Sequence, residues 1–175
     1  MRNRIIKIDQ TASNDTWVTL ADVKEWLIVE HNEDDALLTR LIKAVRIAFE
    51  KWTKMCIVDS VVVVTAEINC GEFKLPRLPF KEINSVDIRE SDNSFTAMST
   101  DDYTVLGNSI LFEKKGIIRI DYNASWNGAL PDDIKIAGFS EIALRYENRG
   151  DVKGESGFSQ VAETYLLPYV NMSYL

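Results

Sequence analysis

Apolar residues recur at helical spacing early in the chain, switch to alternation in the middle, and return to helical spacing near the end. Ile5, Ile6 and Ile8 alternate weakly, which predicts a short strand or an extended arm, and "TASND" reads as a polar linker. In "WVTLADVKEWLIV", Thr19 can cap a helix over about 19–29, with Asp22 completing a capping box. Leu20, Val23, Trp26 and Leu27 fall on one face, so Trp26 is expected in the core, and Trp17 is placed to fold back against this helix. A longer helix is predicted over about 33–54. Asn32 is its candidate cap, with Glu33, Asp34 and Asp35 in the first turn and Lys51 and Lys54 in the last, as the helix dipole favours. Leu37, Leu38, Leu41, Ile42, Val45, Ala48, Phe49 and Trp52 form its apolar stripe, and Glu50 and Lys54 are spaced for an i,i+4 ion pair.

From Val61 the period falls to two. "VVVVTAEI", "FKL", "INSVDIRE", "DYTVLG", "SILFE" and "GIIRIDY" read as short, mostly antiparallel strands over about 61–123, with Pro76 and Pro79 marking a loop or an edge. Helical spacing resumes over about 131–149, started by Pro131 and closed by Gly150, with Gly138 at its middle as a point of close helix–helix approach. "DVKGESG" is expected to be a mobile linker open to proteolysis near Lys153, and a last helix over about 159–167 stops at Pro168, leaving a tail over 168–175. The expected fold class is α+β: a single domain over 1–175 with a mainly helical core of long antiparallel helices and an inserted β block.

Charge removes several functions. The net charge is −7, distributed as −1 over residues 1–60 and −3 each over 61–130 and 131–175, so no segment builds the basic stripe of a phosphate-gripping protein. No apolar run reaches the ~20 residues of a membrane span, and the N-terminus lacks the pattern of a secretory signal. Cys56 and Cys70 are expected to be free thiols of an intracellular protein. His31 has no companion at ligand spacing, so neither a metal nor an organic cofactor is expected. Asp34–Asp35 and Asp132–Asp133 sit in helix first turns and Asp101–Asp102 in a turn, which explains them without catalysis. Phosphate-loop, nucleophile-elbow and zinc-protease motifs do not occur.

The order of these elements is familiar. "VTLADVKEWLIVEHNEDDALLTRLIKAVRIAFEKWTKM" resembles the opening of the head–tail connector (adaptor) proteins of long-tailed bacteriophages and prophages: a short helix, an acidic step at Glu33-Asp34-Asp35, then a long helix with Leu41 to Ala44 and Glu50 to Thr53. "LPRLPFKEINSVDI", "IIRIDYNASWNGALPDDIKIA", "ALRYENRGD" and the closing "LLPY" are similar to the family's later segments. The chain departs from it at Val45, where an alanine is common, and at Val170, where an arginine is common.

The resemblance implies a structural neck protein without enzymatic activity or cofactor, located in the virion neck after assembly in the host cytoplasm. It would form a ring of copies of itself, twelvefold like the portal above it, with a tail or stopper protein below. DNA would pass without sequence-specific binding, and no membrane is involved. Another neck or tail-completion protein is the near alternative; a small enzyme or an acidic DNA mimic is the distant one. Tyr165, Leu166, Leu167, Tyr169, Val170, Met172, Tyr174 and Leu175 are candidate contact residues, because this stretch is rich in tyrosine and leucine and carries no charged side chain, and the resemblance implies the portal as their partner. Residues 169–175 are expected to be loose in the free subunit. Arg89, in "SVDIRE", is the candidate subunit contact.

Overall fold

A computed structural model describes residues 3–14, 16–69, 71–126, 128–149 and 157–171. These residues form two compact units: one from 3–14 with 58–126, the other from 16–57 with 128–149 and 157–171.

The first unit is all β apart from one 3-10 turn. Strands β1 (Arg4–Ala12), β2 (Ser60–Ile68), β8 (Gly116–Ala124), β4 (Phe80–Arg89) and β5 (Phe95–Ala97) form an antiparallel sheet in that spatial order. A smaller sheet has the order β3 (Gly71–Lys74), β7 (Ser109–Phe112), β6 (Tyr103–Leu106). Strict alternation explains the valine run of β2: Val62 and Val64 are fully buried while Val61 is 37% exposed. Their neighbours Tyr122, Ile120 and Ile118 on β8 bury the same face, and Phe73, Ile110 and Phe112 complete the core from the small sheet.

The second unit holds α1 (Leu20–Leu27), α2 (Asp35–Thr53), α3 (Asp132–Glu147) and α4 (Gln160–Leu166). The Thr19–Asp22 capping box forms as expected, with bonds of 3.1 and 3.2 Å. Within α1 only Val23 is buried. Trp26 is 49% exposed and stacks on Phe139 of α3, so its expected core position is corrected: an eight-residue helix turns only one narrow line inward. Trp17 lies deeper than a contact on α1 would place it. Its indole N–H donates to the Ile42 carbonyl at 3.0 Å, and its ring meets Phe49 edge-on at 5.9 Å.

The mainly helical core with an inserted block of short strands is not what forms. Among the described residues helix takes 35% and strand 34%, so the core is not mainly helical. The physical reason lies at the chain start. Residues 4–12 pair with Ser60–Glu67 of β2, and β1, β2, β4 and β8 have nine or ten residues each, enough for the sheets to bury a core of their own. Of the helices, α1 and α4 have only eight and seven residues.

Polar contacts in the helical unit also depart from expectation. Asn32 does not cap α2; Asp34 holds the N-cap position and makes no capping bond. Its carboxylate instead accepts from the Tyr146 hydroxyl at 2.5 Å and the Arg149 guanidinium at 2.9 Å, tying the start of α2 to the end of α3. The Tyr146 bond and then Arg149 hold the Asp34 carboxyl below its ordinary range, and the same bond raises Tyr146. Glu50 does not pair with Lys54. It turns inward to Arg46 at 3.1 Å, and Lys54 donates to the Lys51 carbonyl as a left-handed C-cap. Gly138 admits no second helix. The Trp17 ring occupies the space where its Cβ would be, at 2.0 Å.

Candidate interaction surfaces

Most of the paired carboxylates are used in folding. Asp35 pairs with Lys24, Asp102 with Lys114 and Asp132 with Lys135, each at 2.7–2.8 Å, and Asp133 accepts from Tyr169. His31 is exposed between α1 and α2, Cys56 is buried, and Cys70 lies outside the described residues. Among the described residues no group of three or more His, Cys, Asp and Glu could hold a metal ion, and no helix is long and apolar enough to cross a membrane. A pocket of about 170 Å³ in the β unit is lined by Ser13, Asp59, Ser60, Lys81, Asn123 and Ser125, where the Ser125 hydroxyl donates to Asp59. It presents small polar side chains and one ion of each sign.

Surfaces carry more information than pockets. Across the five-stranded sheet, side chains bond in rows: Asn84 donates to Asp121 at 2.7 Å, Asn123 to Glu82 at 3.0 Å, and Arg119 to Asp87 at 2.9 Å while lying over the Phe95 ring. These side chains satisfy one another, so the rows stiffen the sheet. Arg89, at the end of β4, is exposed and donates to Asn93 across the β4–β5 turn. With Glu90, Ser91, Asn93 and Ile117 it borders an open depression of about 370 Å³.

The C-terminal candidates divide. Tyr165 is 39% exposed and Leu167 65%, both facing solvent. Leu166 is 1% exposed and belongs to the core of the helical unit, which takes it out of any partner-facing set. Pro168 does not end the helical path at once, because residues Leu167–Tyr169 form a 3-10 turn. Tyr169 and Val170 are half-buried, the Tyr169 hydroxyl donates to the Asp133 carboxylate at 2.7 Å, and the Asn171 N–H donates to the Thr53 carbonyl at 2.8 Å. Residues 169–171 are therefore held rather than loose; Met172, Tyr174 and Leu175 lie outside the described residues, as does 150–156 of the expected linker. Val161 went unread in the sequence although it stands one helical turn before Tyr165, and its 47% exposure extends the apolar face of α4. Glu141 positions that helix: it is buried, pairs with Arg145 at 2.9 Å, and accepts the Ser159 N–H at 3.0 Å, while the Ser159 hydroxyl caps α4.

The Tyr169 anchor has a pH signature. Burial first, and the bond to Asp133 second, push its hydroxyl up to about 12 from 10. A raised folded-state value gives stability that is complete below pH ~10 and lost as pH rises toward ~12. Tyrosinate absorbance should show late-ionising tyrosine, with Tyr146 raised as well, and Tyr169→Phe should reduce that late fraction by one residue. If all tyrosines still titrate together near 10 in the native protein, the anchor is absent.

A family model described as head completion protein matches residues 16–160. Comparison with curated protein sequences finds no match. Among solved structures, a chain from "Neck of empty GTA particle computed with C6 symmetry" superposes with a TM-score of 0.76 at 19% identity, covering 94% of this chain and 95% of that one. A chain from "Virion of native gene transfer agent (GTA) particle" gives 0.75 at 18% identity, covering 94% and 95%. One from "Neck of native GTA particle computed with C12 symmetry" gives 0.73 at 19%, covering 94% of each chain. At that identity the superpositions establish a shared fold over nearly the whole chain; the match of 16–160 goes further, and the chain belongs to the head completion protein family.

Proposed function

We propose that this head completion protein is a ring-forming neck subunit that docks beneath the portal and passes DNA toward the tail without binding it specifically. The observation that carries the reading is the family match, joined to a fold shared over 94% of the chain with chains from particle necks reconstructed with sixfold and twelvefold symmetry. Its work is structural. Five of the six carboxylates in the aspartate pairs are engaged in ion pairs and tyrosine bonds of the fold, which supports a role without catalysis. The acidic balance suits a conduit, since like charge keeps phosphates from sticking to its wall. The particle neck is its place of function, and the Arg89 turn of the β unit is one of its contacts with a neighbouring copy.

Portal docking falls to the exposed apolar face of α4 and the turn after it, Val161, Tyr165 and Leu167, together with residues 172–175. The test uses Tyr165→Ser with Leu167→Asp, and separately removal of 172–175. Surface changes of this kind should shift unfolding free energy by no more than about 0.5 kcal/mol. Binding to purified portal, read by co-sedimentation, should fall at least tenfold. Unchanged binding by both variants would place docking elsewhere.

A further inference from the structure

We infer that neighbouring copies in the ring meet through the helical unit, an acidic, apolar corner after α1 seating on a basic stripe along α2 of the next copy. The inference rests on the ring reading above and deepens it by naming the surfaces. A ring requires a head-to-tail contact, hence two different patches that complement each other.

The stripe is legible only once the buried face of α2 is known. Leu38, Ile42, Val45, Phe49 and Thr53 turn inward, which sets Arg40, Lys43, Ile47 and Lys51 on the opposite side at spacings of three and four. Every exposed charge on this helix face is positive, and Glu50, the acid nearest to it in sequence, is buried with Arg46. Ile47, 36% exposed, stands at the middle of the stripe. On a chain of net charge −7, a wholly basic helix face is a local exception that average composition conceals.

The corner has the opposite character. Glu25, Glu30 and Glu33 are exposed around it, and so are Trp26 and Ile28. Ile28 is the unusual residue. It ends α1 in the left-handed region, φ 56 and ψ 43, its N–H bonded to Glu25 and that of Val29 to Lys24. Glycine is the usual occupant of that position, and a β-branched residue there is strained. Ile28 is also 85% exposed, so it gains nothing from burial within its own chain. A side chain both strained and exposed is accounted for by a contact outside the chain. Charge complementarity names the occupant as a second copy: glutamates around an isoleucine on one surface, lysines and an arginine around an isoleucine on the other.

The experiment measures self-association of the full chain by mass and sedimentation from micromolar to near-millimolar concentration at low salt. Three variants are compared with it: Arg40→Glu/Lys51→Glu, Glu25→Lys/Glu30→Lys, and the fourfold combination. Circular dichroism verifies that each folds. Both double variants should associate at least tenfold more weakly, and the fourfold variant should return to within about threefold of wild type, because each reversed patch meets its reversed counterpart. Added salt should weaken the wild-type contact. Ile28→Gly separates strain from contact: it should unfold at the same or higher temperature yet associate less well. If wild type assembles and the reversals assemble equally, the ring stands and this interface is overturned. If wild type stays monomeric throughout, self-assembly itself fails and the interface with it. Lost retention on DNA by Arg40→Glu/Lys51→Glu with unchanged association would overturn the inference in favour of a phosphate contact.

Discussion

Glu50→Ala should destabilise the protein by about 3–5 kcal/mol, the scale for removing one partner of a buried ion pair. The Arg46 and Glu50 side chains are 5% and 9% exposed and meet at 3.1 Å on successive turns of α2. The second Glu50 oxygen accepts the Ile57 N–H at 2.9 Å, fixing the chain as it leaves the helix. Alanine strips both interactions and leaves the Arg46 guanidinium inside without this carboxylate. Marginal stability makes that loss severe, because a domain has only about 5–15 kcal/mol in total. Glu50→Gln keeps an acceptor for Ile57 and should cost less. Replacing the pair together, Arg46→Met with Glu50→Leu, should recover most of the loss, since two apolar groups need no charge partner. The urea midpoint reads all three; a Glu50→Ala midpoint equal to wild type would contradict this account of α2.

Gly138→Ala should also destabilise, against the ordinary rule for helices. Alanine inside a helix gains about 1 kcal/mol over glycine from backbone propensity alone. Here its Cβ would lie 2.0 Å from Trp17 Cη2, with two further ring atoms at 2.8 and 3.0 Å. The ring cannot simply swing away, because its N–H is bonded to the Ile42 carbonyl and its edge rests on Phe49. Overpacking of this kind costs about 1–3 kcal/mol, more where the neighbour is pinned, so the clash outweighs the propensity. Thermal unfolding should fall by several degrees. Trp17→Phe should be less damaging in the Gly138→Ala background than in wild type, because the smaller ring vacates the contested space. A Gly138→Ala protein that melts higher than wild type would show that the indole is not held there.

These two sites mark the limit of what the sequence discloses. Periodicity located every α-helix, because apolar stripes and the Thr19 box are local signals. It located the strands between 60 and 124 for the same reason, except β5, whose three residues Phe95–Ala97 are too few to show alternation. Partnership was hidden. Ile5, Ile6 and Ile8 alternate too weakly to announce eight residue pairs with a strand nearly sixty positions away, and without that pairing the β region looks like an insertion. Glu50 has a lysine at i+4 and an arginine at i−4, and only burial decides between them. Gly138 announced a close approach but not an indole. At the candidate surfaces, aromatic and apolar content drew notice to residues 165–175, yet composition cannot distinguish Leu166, turned inward, from Leu167, turned out. The basic face of α2 escaped because its charges are interleaved with the core positions of the same helix.

The central claim is that copies of this chain close into a ring on the portal, and the mass of the complex with purified portal measures it most directly. Protein mixed in excess with portal and freed of unbound subunits should give one complex whose added mass equals a full ring, twelve copies if it follows the twelvefold symmetry seen in one of the matching necks. Partial occupancies should be rare, because each bound copy offers its neighbour a surface. A complex of scattered, low copy number, or portal that remains bare, would contradict the account.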